Sequence, residues 1–441
     1  MKSDISGFPE FLPNEQIVFA EMMDLIKHNF ELYGFIPMDT PAVERVSTLL
    51  SKGDDNEIYG LYRLADEKSK KELGLRFDLT VPLARYVASK FGDLIFPYRR
   101  YQIGPVWRGE RSQLGRYRQF YQCDIDILGD GHLSLEHDAE IIKVLTETLR
   151  QLPLPMFTTR INNRKILQYF LCTLIPSEDV SNLVRLIDKK SKITHEEFLK
   201  ALAVFGLSRK NIDILETFLN AKNLKTNTEV LHWLRILNIG PGFSEGVEEL
   251  ESTINLLKKF GIEDNDVKIS LELARGLTYY TGNVFETTFD AISGIGSIAA
   301  GGRYDNLVST MSGKKVPGVG ASIGLTRLIA RLLDRNLIKC ERSSVAELLV
   351  TTQNRNFISS YMRLSNKFRE LGIKTETYLQ DKPLGHQLSY ASRKGIQHVL
   401  IANDVELLEN VAILRNLYTK EQISIGTKDM GQEILTLIRR E

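Results

Sequence analysis

Residues 98–126 read YRRYQIGPVWRGERSQLGRYRQFYQCDID, and this stretch decides the fold. Two runs in which polar and apolar side chains alternate flank a polar loop between Gly109 and Gly115. Such alternation is typical of strands, so the pattern predicts two long antiparallel strands within residues 92–128. Successive side chains of a strand point to opposite faces. One face of the second strand is therefore predicted to carry an aromatic ring and three polar groups, from Phe120, Gln122, Asp124 and Asp126.

The predicted hairpin is rich in positive charge. Between Arg76 and Arg118 the chain has nine basic residues and three acidic ones. A guanidinium group suits phosphate, and an aromatic ring suits a nucleobase. Arginines that alternate with aromatic residues on a sheet therefore favour a nucleotide-binding surface, whereas a solvated charged surface is the simpler alternative.

The whole chain, by contrast, is electrically balanced. It has 441 residues, with 57 Lys and Arg against 56 Asp and Glu, so its formal net charge is +1. With 43% hydrophobic residues, the composition is typical of a soluble globular protein. No apolar run approaches the ~18 residues of a membrane-spanning helix. The first ten residues lack a secretory or transit pattern, and the three cysteines are too few for a disulfide framework or a zinc site. We therefore expect a cytoplasmic protein that does not enter a membrane.

Changes in periodicity along the chain divide it into regions. Residues 61–81 have a strand-like pattern. From about residue 163 to 260 helical periodicity dominates in a sequence rich in Leu, Lys and Asn, which predicts a helical insertion within a β-rich domain. The final ~97 residues alternate between strand and helix patterns, which predicts a small α/β domain. We therefore expect two domains, at residues 1–335 and 345–441.

Four segments concentrate polar residues and glycines. The first, LRFDLTVP at residues 75–82, would place Asp78 and Thr80 on one face of a strand. The second is the hairpin itself. The others are glycine-rich: LARGLTYYTGNVFE at 273–286, and AGGRYD at 300–305 followed by GASIGLTR at 320–327.

Together these segments resemble the motifs of the histidyl-tRNA synthetases, a family of class II aminoacyl-tRNA synthetases. The loop at Arg108 with its following strand resembles class II motif 2, and the glycine-rich strand and helix that reach Arg327 resemble motif 3. Pro41 resembles the single proline of motif 1. The segments that begin at Arg275 and Gly301 resemble two signatures of the histidyl enzymes, so the resemblance spans nearly the whole chain.

The resemblance implies a fold and an activity. The fold would be an α+β catalytic domain with an antiparallel sheet and a helical insertion, followed by a C-terminal α/β anticodon-binding domain. The activity would be the ATP-dependent attachment of L-histidine to tRNA(His) through a histidyl-adenylate. Mg²⁺ would accompany ATP, and the enzyme would be a homodimer.

The resemblance also implies the ATP site. Arg108 would hold the α-phosphate, Glu110 the adenine amino group, Phe120 the adenine ring and Arg327 the γ-phosphate. Arg275 would bridge the α-phosphate and the histidine carboxylate. Arg108 and Arg275 would thus be the catalytic residues, because charge builds up at the α-phosphate during activation. Metal ligands stay unassigned.

A second set of residues is implied for the amino acid. It comprises Asp78, Leu79, Thr80, Arg108, Gln122, Asp126, Arg275, Tyr279 and Tyr280. Asp78, Thr80 and Gln122 would bind the substrate's amino group. Asp126 and Tyr280 would meet the two imidazole nitrogens, and such a site leaves polar groups unpaired with any other amino acid.

Two other functions are compatible with parts of this pattern. One is a non-catalytic regulatory paralogue that partners ATP phosphoribosyltransferase, but such paralogues typically lack the terminal domain and degrade the Arg275 signature. The other is a tRNA-sensing module like the synthetase-like region of a stress kinase, and the chain has no kinase segment. Within the resemblance, Thr278 and Thr326 stand where many family members have an acid.

Overall fold

The computed structural model describes residues 5–51, 60–65, 72–111, 115–190, 193–221, 224–274, 279–292, 294–403, 411–426 and 430–440. The chain folds into two units. The large unit contains Met1–Pro9 and Met22–Ile338, and the small unit contains Glu10–Glu21 and Lys339–Glu441. Among the described residues, no helix is long and apolar enough to cross a membrane.

An eight-stranded sheet forms the centre of the large unit as far as it is described, in the order β1-β5-β6-β11-β10-β9-β7-β8. Its strands are β1 (Ile36–Pro37), β5 (Tyr98–Trp107), β6 (Gln119–Leu128), β7 (Phe157–Asn163), β8 (Val267–Ile269), β9 (Asn283–Phe289), β10 (Ala299–Tyr304) and β11 (Gly318–Gly324). All pairs from β5 to β7 are antiparallel, whereas the short edge strands β1 and β8 pair in parallel. A second, three-stranded sheet has the order β2-β4-β3, with β2 (Val43–Arg45), β3 (Arg63–Leu64) and β4 (Leu73–Leu75).

The hairpin predicted from residues 98–126 is confirmed. β5 and β6 pair along their whole length, so that Tyr98 lies opposite Leu128 and Trp107 lies opposite Gln119. β6 pairs on its other side with the glycine-rich strand β11. The predicted antiparallel sheet is thus present, and β6 lies inside it between β5 and β11.

Helices alternate with these strands along the chain. They are α1 (Pro13–Leu32), α2 (Val46–Leu49), α3 (Thr80–Lys90), α4 (Glu136–Gln151), α5 (Arg164–Leu171), α6 (Val180–Lys189), α7 (His195–Val204), α8 (Arg209–Asn220), α9 (Asn227–Leu237), α10 (Pro241–Lys259), α11 (Ser309–Ser312) and α12 (Leu325–Asp334). α4 packs on β6 and β11 because its apolar residues fall on one side at helical spacing, and Ile141, Ile142 and Leu145 are fully buried. Along the chain, helices α5 to α10 come after β7 and before β8, so the predicted helical insertion is confirmed.

One expectation for the segment before α3 was wrong. Asp78 and Thr80 do not share a face of a strand, because β4 ends at Leu75 and α3 begins at Thr80. The Asp78 carboxylate accepts a hydrogen bond from the Val81 N–H at 3.0 Å, and it thereby satisfies a donor in the first turn of the helix. Pro82 fits the same turn, where no partner for a backbone N–H is needed.

The small unit has its own sheet, in the order β13-β12-β14-β15-β16. Its elements are β12 (Leu348–Val350), α13 (Ile358–Glu370), β13 (Thr375–Thr377), α14 (Leu384–Lys394), β14 (His398–Ile401), β15 (Val411–Asn416), β16 (Gln422–Gly426) and α15 (Met430–Arg440). Tyr361, Phe368 and Ile434 form part of a buried core against the sheet. The predicted α/β arrangement is confirmed, but the antiparallel pair β15–β16 was not predicted. Its turn lacks a glycine, and Lys420 adopts the left-handed conformation there with φ 66°.

Candidate active site

A cavity of about 970 Å³ in the large unit collects most of the predicted site residues. The predicted residues that line it are Asp78, Thr80, Arg108, Glu110, Phe120, Gln122, Asp126, Tyr279, Tyr280 and Arg327. Leu79 differs from them, because its side chain is fully buried, while its carbonyl accepts a hydrogen bond from Arg100 at 3.3 Å. Arg275 and Thr278 lie outside the described residues.

The floor of the cavity is set by the pairing of β6 with β11. In this register Gln122 lies opposite Gly324, Asp124 opposite Ser322 and Asp126 opposite Gly320. A Cβ atom on Gly320 would collide with the Asp126 carboxylate. The glycine therefore makes room for a buried acid beside the neighbouring backbone.

Asp126 does not stand alone in the cavity. On β5, Arg100 lies directly opposite it, and the guanidinium Nη2 is 2.5 Å from the carboxylate Oδ2. The Tyr304 hydroxyl donates a hydrogen bond to the other carboxylate oxygen. Both partners are almost completely buried. Neither Arg100 nor Tyr304 was predicted as part of the site, although a fixed hairpin register would have paired the charges of Arg100 and Asp126.

Tyrosine rings form one wall of the cavity. The rings of Tyr279 and Tyr280 are 4.7 Å apart, and Tyr279 meets Tyr304 edge to face at 6.0 Å. The Tyr280 ring lies over Gly302, where a Cβ would come within 2.8 Å of it. The glycines of the GGRYD segment thus let an aromatic ring approach the sheet backbone.

Unpaired acceptors converge at the acidic end of the cavity. Within the described part of the chain, four buried side-chain oxygens there have no hydrogen-bond partner: Asp78 Oδ2, Gln122 Oε1, Asp124 Oδ1 and Asp126 Oδ2, of which the last is ion-paired with Arg100. Burial is the main cause that raises the carboxyl pKa of Asp124 to about 7 and that of Asp126 to about 6, although Arg100 opposes it. Burial also raises the pKa of Asp78. Buried acceptors of this kind suit a ligand that brings positive charge and N–H donors.

Cations gather at the other end, around the loop between β5 and β6. The Arg108 guanidinium lies 5.0 Å from the centre of the Phe120 ring, and its Nε donates to the Phe77 carbonyl at 3.0 Å. Arg327 Nε donates to the Gly115 carbonyl at 2.7 Å, which joins α12 to the loop. The cavity therefore has an acidic end over β6 and a cationic end at the loop.

The arginines of the hairpin do not all face this cavity. Arg76 donates to the Thr40 carbonyl at 2.5 Å and to the Pro105 carbonyl at 3.0 Å. Arg99 pairs with Glu140 of α4 at 2.5 Å. Arg76 and Arg99 therefore bind groups within the protein and are not available for phosphate. The predicted row of phosphate-binding arginines is limited to those near the loop.

Two further contacts hold the elements of the site together. Arg303 of the GGRYD segment is buried and donates to the Asp138 carboxylate at 3.0 Å and 2.7 Å, which ties β10 to α4. Thr326 Oγ1 accepts from the Tyr121 N–H at 2.9 Å, where the pairing of β6 with β11 has ended. The threonine thus supplies the acceptor that secures β6 to α12. No group of three His, Cys, Asp or Glu side chains placed to hold a metal ion occurs among the described residues.

Three features together define the catalytic domain of a class II aminoacyl-tRNA synthetase. They are a largely antiparallel sheet, a strand–loop–strand that carries an arginine, and a glycine-rich strand that continues into a helix with an arginine. The sequence model of the family described as "Histidyl-tRNA synthetase" matches residues 7–328, and that of "Anticodon binding domain" matches residues 347–437. The chain belongs to the histidyl-tRNA synthetase family.

Individual relatives agree with this assignment. A histidine–tRNA ligase of Clostridium tetani is 43% identical over 437 residues, which cover 97% of this chain and 98% of that protein. The crystal structure of histidyl-tRNA synthetase from Nostoc sp. PCC 7120 has a TM-score of 0.89 at 36% identity, and the match covers all of both chains. A Bacillus halodurans structure described as an ATP phosphoribosyltransferase regulatory subunit/histidyl-tRNA synthetase has a TM-score of 0.72 at 21% identity, covering 88% of this chain and 96% of that chain, which shows a shared fold alone.

The chain is therefore an enzyme that attaches L-histidine to tRNA(His) in an ATP-dependent reaction. The alternative of a regulatory paralogue is less supported, because relatives matched over nearly their full length are named as ligases.

Proposed function

We propose that the cavity on the central sheet binds ATP and L-histidine side by side and joins them as histidyl-adenylate before tRNA(His) is charged. The observation that carries this proposal is the polarity of the cavity. Its cationic end suits a triphosphate, and its acidic end suits an ammonium group and an imidazole ring. The two substrates would meet where the ends join, so that positioning and charge neutralisation promote the displacement at the α-phosphorus.

At the cationic end, we assign the ATP contacts to the loop and the two elements beside it. Arg108 would hold the α-phosphate, and Arg327 would hold the γ-phosphate. The Phe120 ring would stack on adenine, and the Glu110 carboxylate would accept from the adenine amino group. Support comes from the cavity lining, which includes all four side chains. Mg²⁺ would enter with ATP and be bound chiefly by its phosphates, as is usual for this ion.

At the acidic end, the substrate's ammonium group would be bound where α3 begins. Among the described residues, Asp78 and Gln122 each have a buried oxygen there without a hydrogen-bond partner, and Thr80 lines the same cavity. Leu79 would contribute through its backbone.

The histidine side chain would be recognised deeper in the cavity. Asp126 would accept from one imidazole nitrogen, while Arg100 and Tyr304 hold its carboxylate in place. Tyr280 would bind the other nitrogen with Tyr279 beside it. Arg275, with Arg108, would stabilise the charge that builds up at the α-phosphate.

At the level of the whole chain, we assign catalysis to residues 1–335, with the helical insertion at about 163–260, and anticodon binding to residues 345–441. The match of an anticodon-binding model to residues 347–437 supports this division. We also propose that the enzyme acts as a homodimer in the cytoplasm.

Histidine-dependent exchange between ATP and diphosphate tests the site. We expect exchange with histidine alone among the amino acids. Gln122→Ala should raise the KM for histidine by about tenfold or more while it changes the KM for ATP little, because it removes a contact to one substrate only. Phe120→Ala should instead raise the KM for ATP and change the KM for histidine little.

The exposed Asp130 lies just beyond β6, so Asp130→Asn serves as the control and should match the wild type. Equal effects of Gln122→Ala and Phe120→Ala on both KM values would contradict the two-ended site.

A further inference from the structure

A third acid, Asp124, lies on the cavity face of β6 between Gln122 and Asp126. Its side chain lines the cavity and its residue is only 2% exposed. Across the sheet it lies between Gln102 on β5 and Ser322 on β11. It is therefore as deeply placed as the residues assigned to the amino acid, and the roles given above do not use it.

The neighbours of Asp124 leave much of its charge unbalanced. Arg100 directs its ion pair at Asp126, 2.5 Å away. The Gln102 amide is turned towards Asp39 and Thr40, with distances of 2.6 Å and 3.2 Å. Ser322 donates a hydrogen bond to Asp124 and accepts one from the Gln122 amide at 2.7 Å. Within the described part of the chain, Asp124 Oδ1 has no hydrogen-bond partner.

The charged and titratable groups around Asp124 come from several elements. Arg100 on β5 favours the ionised form of Asp124, whereas Asp126 on β6 and Asp78 before α3 oppose it. Cys123, the preceding residue, has a buried thiol whose pKa is raised well above its usual value. Burial dominates these effects and raises the pKa of Asp124 to about 7. Three buried acids thus face the buried Arg100, and Asp124 keeps a proton in part of the molecules at neutral pH.

We propose that Asp124 is a third acid of the amino-acid site, that it accepts a hydrogen bond from the substrate's α-ammonium group, and that it releases its proton when the amino acid binds. A bound ammonium group favours the ionised carboxylate, since opposite charges in a buried site stabilise each other. The proton that Asp124 carried then passes to solvent. This inference rests on the proposal that histidine binds at the acidic end of the cavity.

The direction of the pH effect follows from the shift. Without substrate the pKa of Asp124 is raised, and the bound ammonium group lowers it. Asp124 therefore releases its proton on binding below and around pH 7. Well above pH 7 Asp124 is already ionised, and its contribution to proton release disappears.

Titration calorimetry of the full-length protein with L-histidine, at pH 6.5 and pH 8 and in two buffers of different ionisation enthalpy, measures both affinity and proton release. The imidazole of histidine contributes its own protons, but equally in wild type and variant. At pH 6.5, Asp124→Asn should bind histidine about tenfold or more weakly, as expected for loss of a charge-assisted contact, and should release fewer protons than wild type. At pH 8 the two proteins should release nearly the same number, because Asp124 is then mostly ionised and the ammonium group of free histidine is still charged. Asp130→Asn is the matched control and should behave as wild type.

Ser322→Ala provides a second, independent readout. It removes a hydrogen bond to the ionised form of Asp124, so the midpoint of proton release should move to higher pH. If Asp124→Asn keeps either the wild-type affinity or the wild-type proton release, the proposal is overturned, as it is if the midpoint in Ser322→Ala stays unchanged. Gln122→Ala and Asp126→Asn separate this result from the location of the site: unchanged histidine affinity in both would refute the proposed site itself.

Discussion

Arg100 and Asp126 illustrate, at the scale of single residues, how the site depends on groups that never need to touch ATP. The pair is buried and joins two neighbouring strands, and the Tyr304 hydroxyl donates a hydrogen bond to the other carboxylate oxygen. Removing one partner of a buried ion pair leaves the other charge without compensation, which costs more than the pair itself contributes. The same arginine also moderates the raised pKa values of Asp124 and Asp126. Arg100 is therefore a positioning residue that acts through the acids of the cavity.

Arg100→Met should lower the free energy of unfolding by about 3–5 kcal/mol at pH 8, because Asp126 is left as an unpaired buried charge. At pH 5 the difference from wild type should narrow. Without its cation the pKa of Asp126 rises further above its usual range, so at pH 5 the carboxyl is neutral and needs no partner. Urea denaturation at both pH values measures this.

Arg63→Met is the control for that measurement. Arg63 pairs with Glu72 at 3.1 Å, but the two side chains are 57% and 73% exposed, so its loss should cost less than about 1 kcal/mol. Equal losses for Arg100 and Arg63, or a loss that does not depend on pH, would argue against the buried pair.

At the scale of elements, the start of α3 combines a structural and a binding role in one side chain. One oxygen of Asp78 caps the helix through the Val81 N–H, and the other is buried without a partner in the described part of the chain. Asp78→Asn keeps an oxygen for the cap but loses the charge. Asp78→Ala loses both, and it should cost about 1 kcal/mol more stability.

The two Asp78 variants should therefore have different stabilities but similar defects in binding. Both should raise the KM for histidine in the exchange assay by about tenfold or more, because the charge that faces the ammonium group is lost. Thermal unfolding measures the cap. A normal KM in Asp78→Asn would show that the charge does not contact substrate.

The pairing of β6 with β11 is the second element-scale feature, since it requires a residue without a side chain opposite Asp126. Gly320→Ala should reduce kcat/KM for histidine about 10²-fold, because the added Cβ displaces the Asp126 carboxylate. Gly92→Ala is a matched control, as a Cβ there meets no atom within 4 Å. Wild-type exchange by Gly320→Ala would mean that the position of Asp126 is not critical.

At the scale of the whole molecule, the two units predict separable steps. A chain that ends at residue 338 should keep histidine-dependent exchange within a few-fold of wild type, because the cavity is lined by the large unit alone. Charging of tRNA(His) should fall by roughly tenfold or more, since an RNA-binding surface would be lost. Measuring both reactions on one preparation tests the division. Equal loss of the two activities would contradict it.

Much of the architecture follows from local patterns in the sequence. Alternation in residues 98–126 predicts β5 and β6 and the shared face of Gln122, Asp124 and Asp126, because a strand repeats every two residues. Helical spacing predicts the insertion, and the resemblance to the family's motifs implies ten of the residues that line the cavity. The segment from Asp78 to Thr80 was predicted wrongly, since a short capping motif interrupted a pattern that was read as a strand.

What the sequence by itself determined is therefore most of the elements, the faces they present and the residue types of the site. The tertiary structure alone decided which charges meet. Strand register places Arg100 opposite Asp126, and Arg99 pairs with Glu140 of α4 and does not line the cavity. The cavity therefore has acids at one end and cations at the other. The physical reason is that periodicity is a property of neighbouring residues, whereas burial and ion pairing depend on residues far apart in the chain that folding brings within a few ångströms.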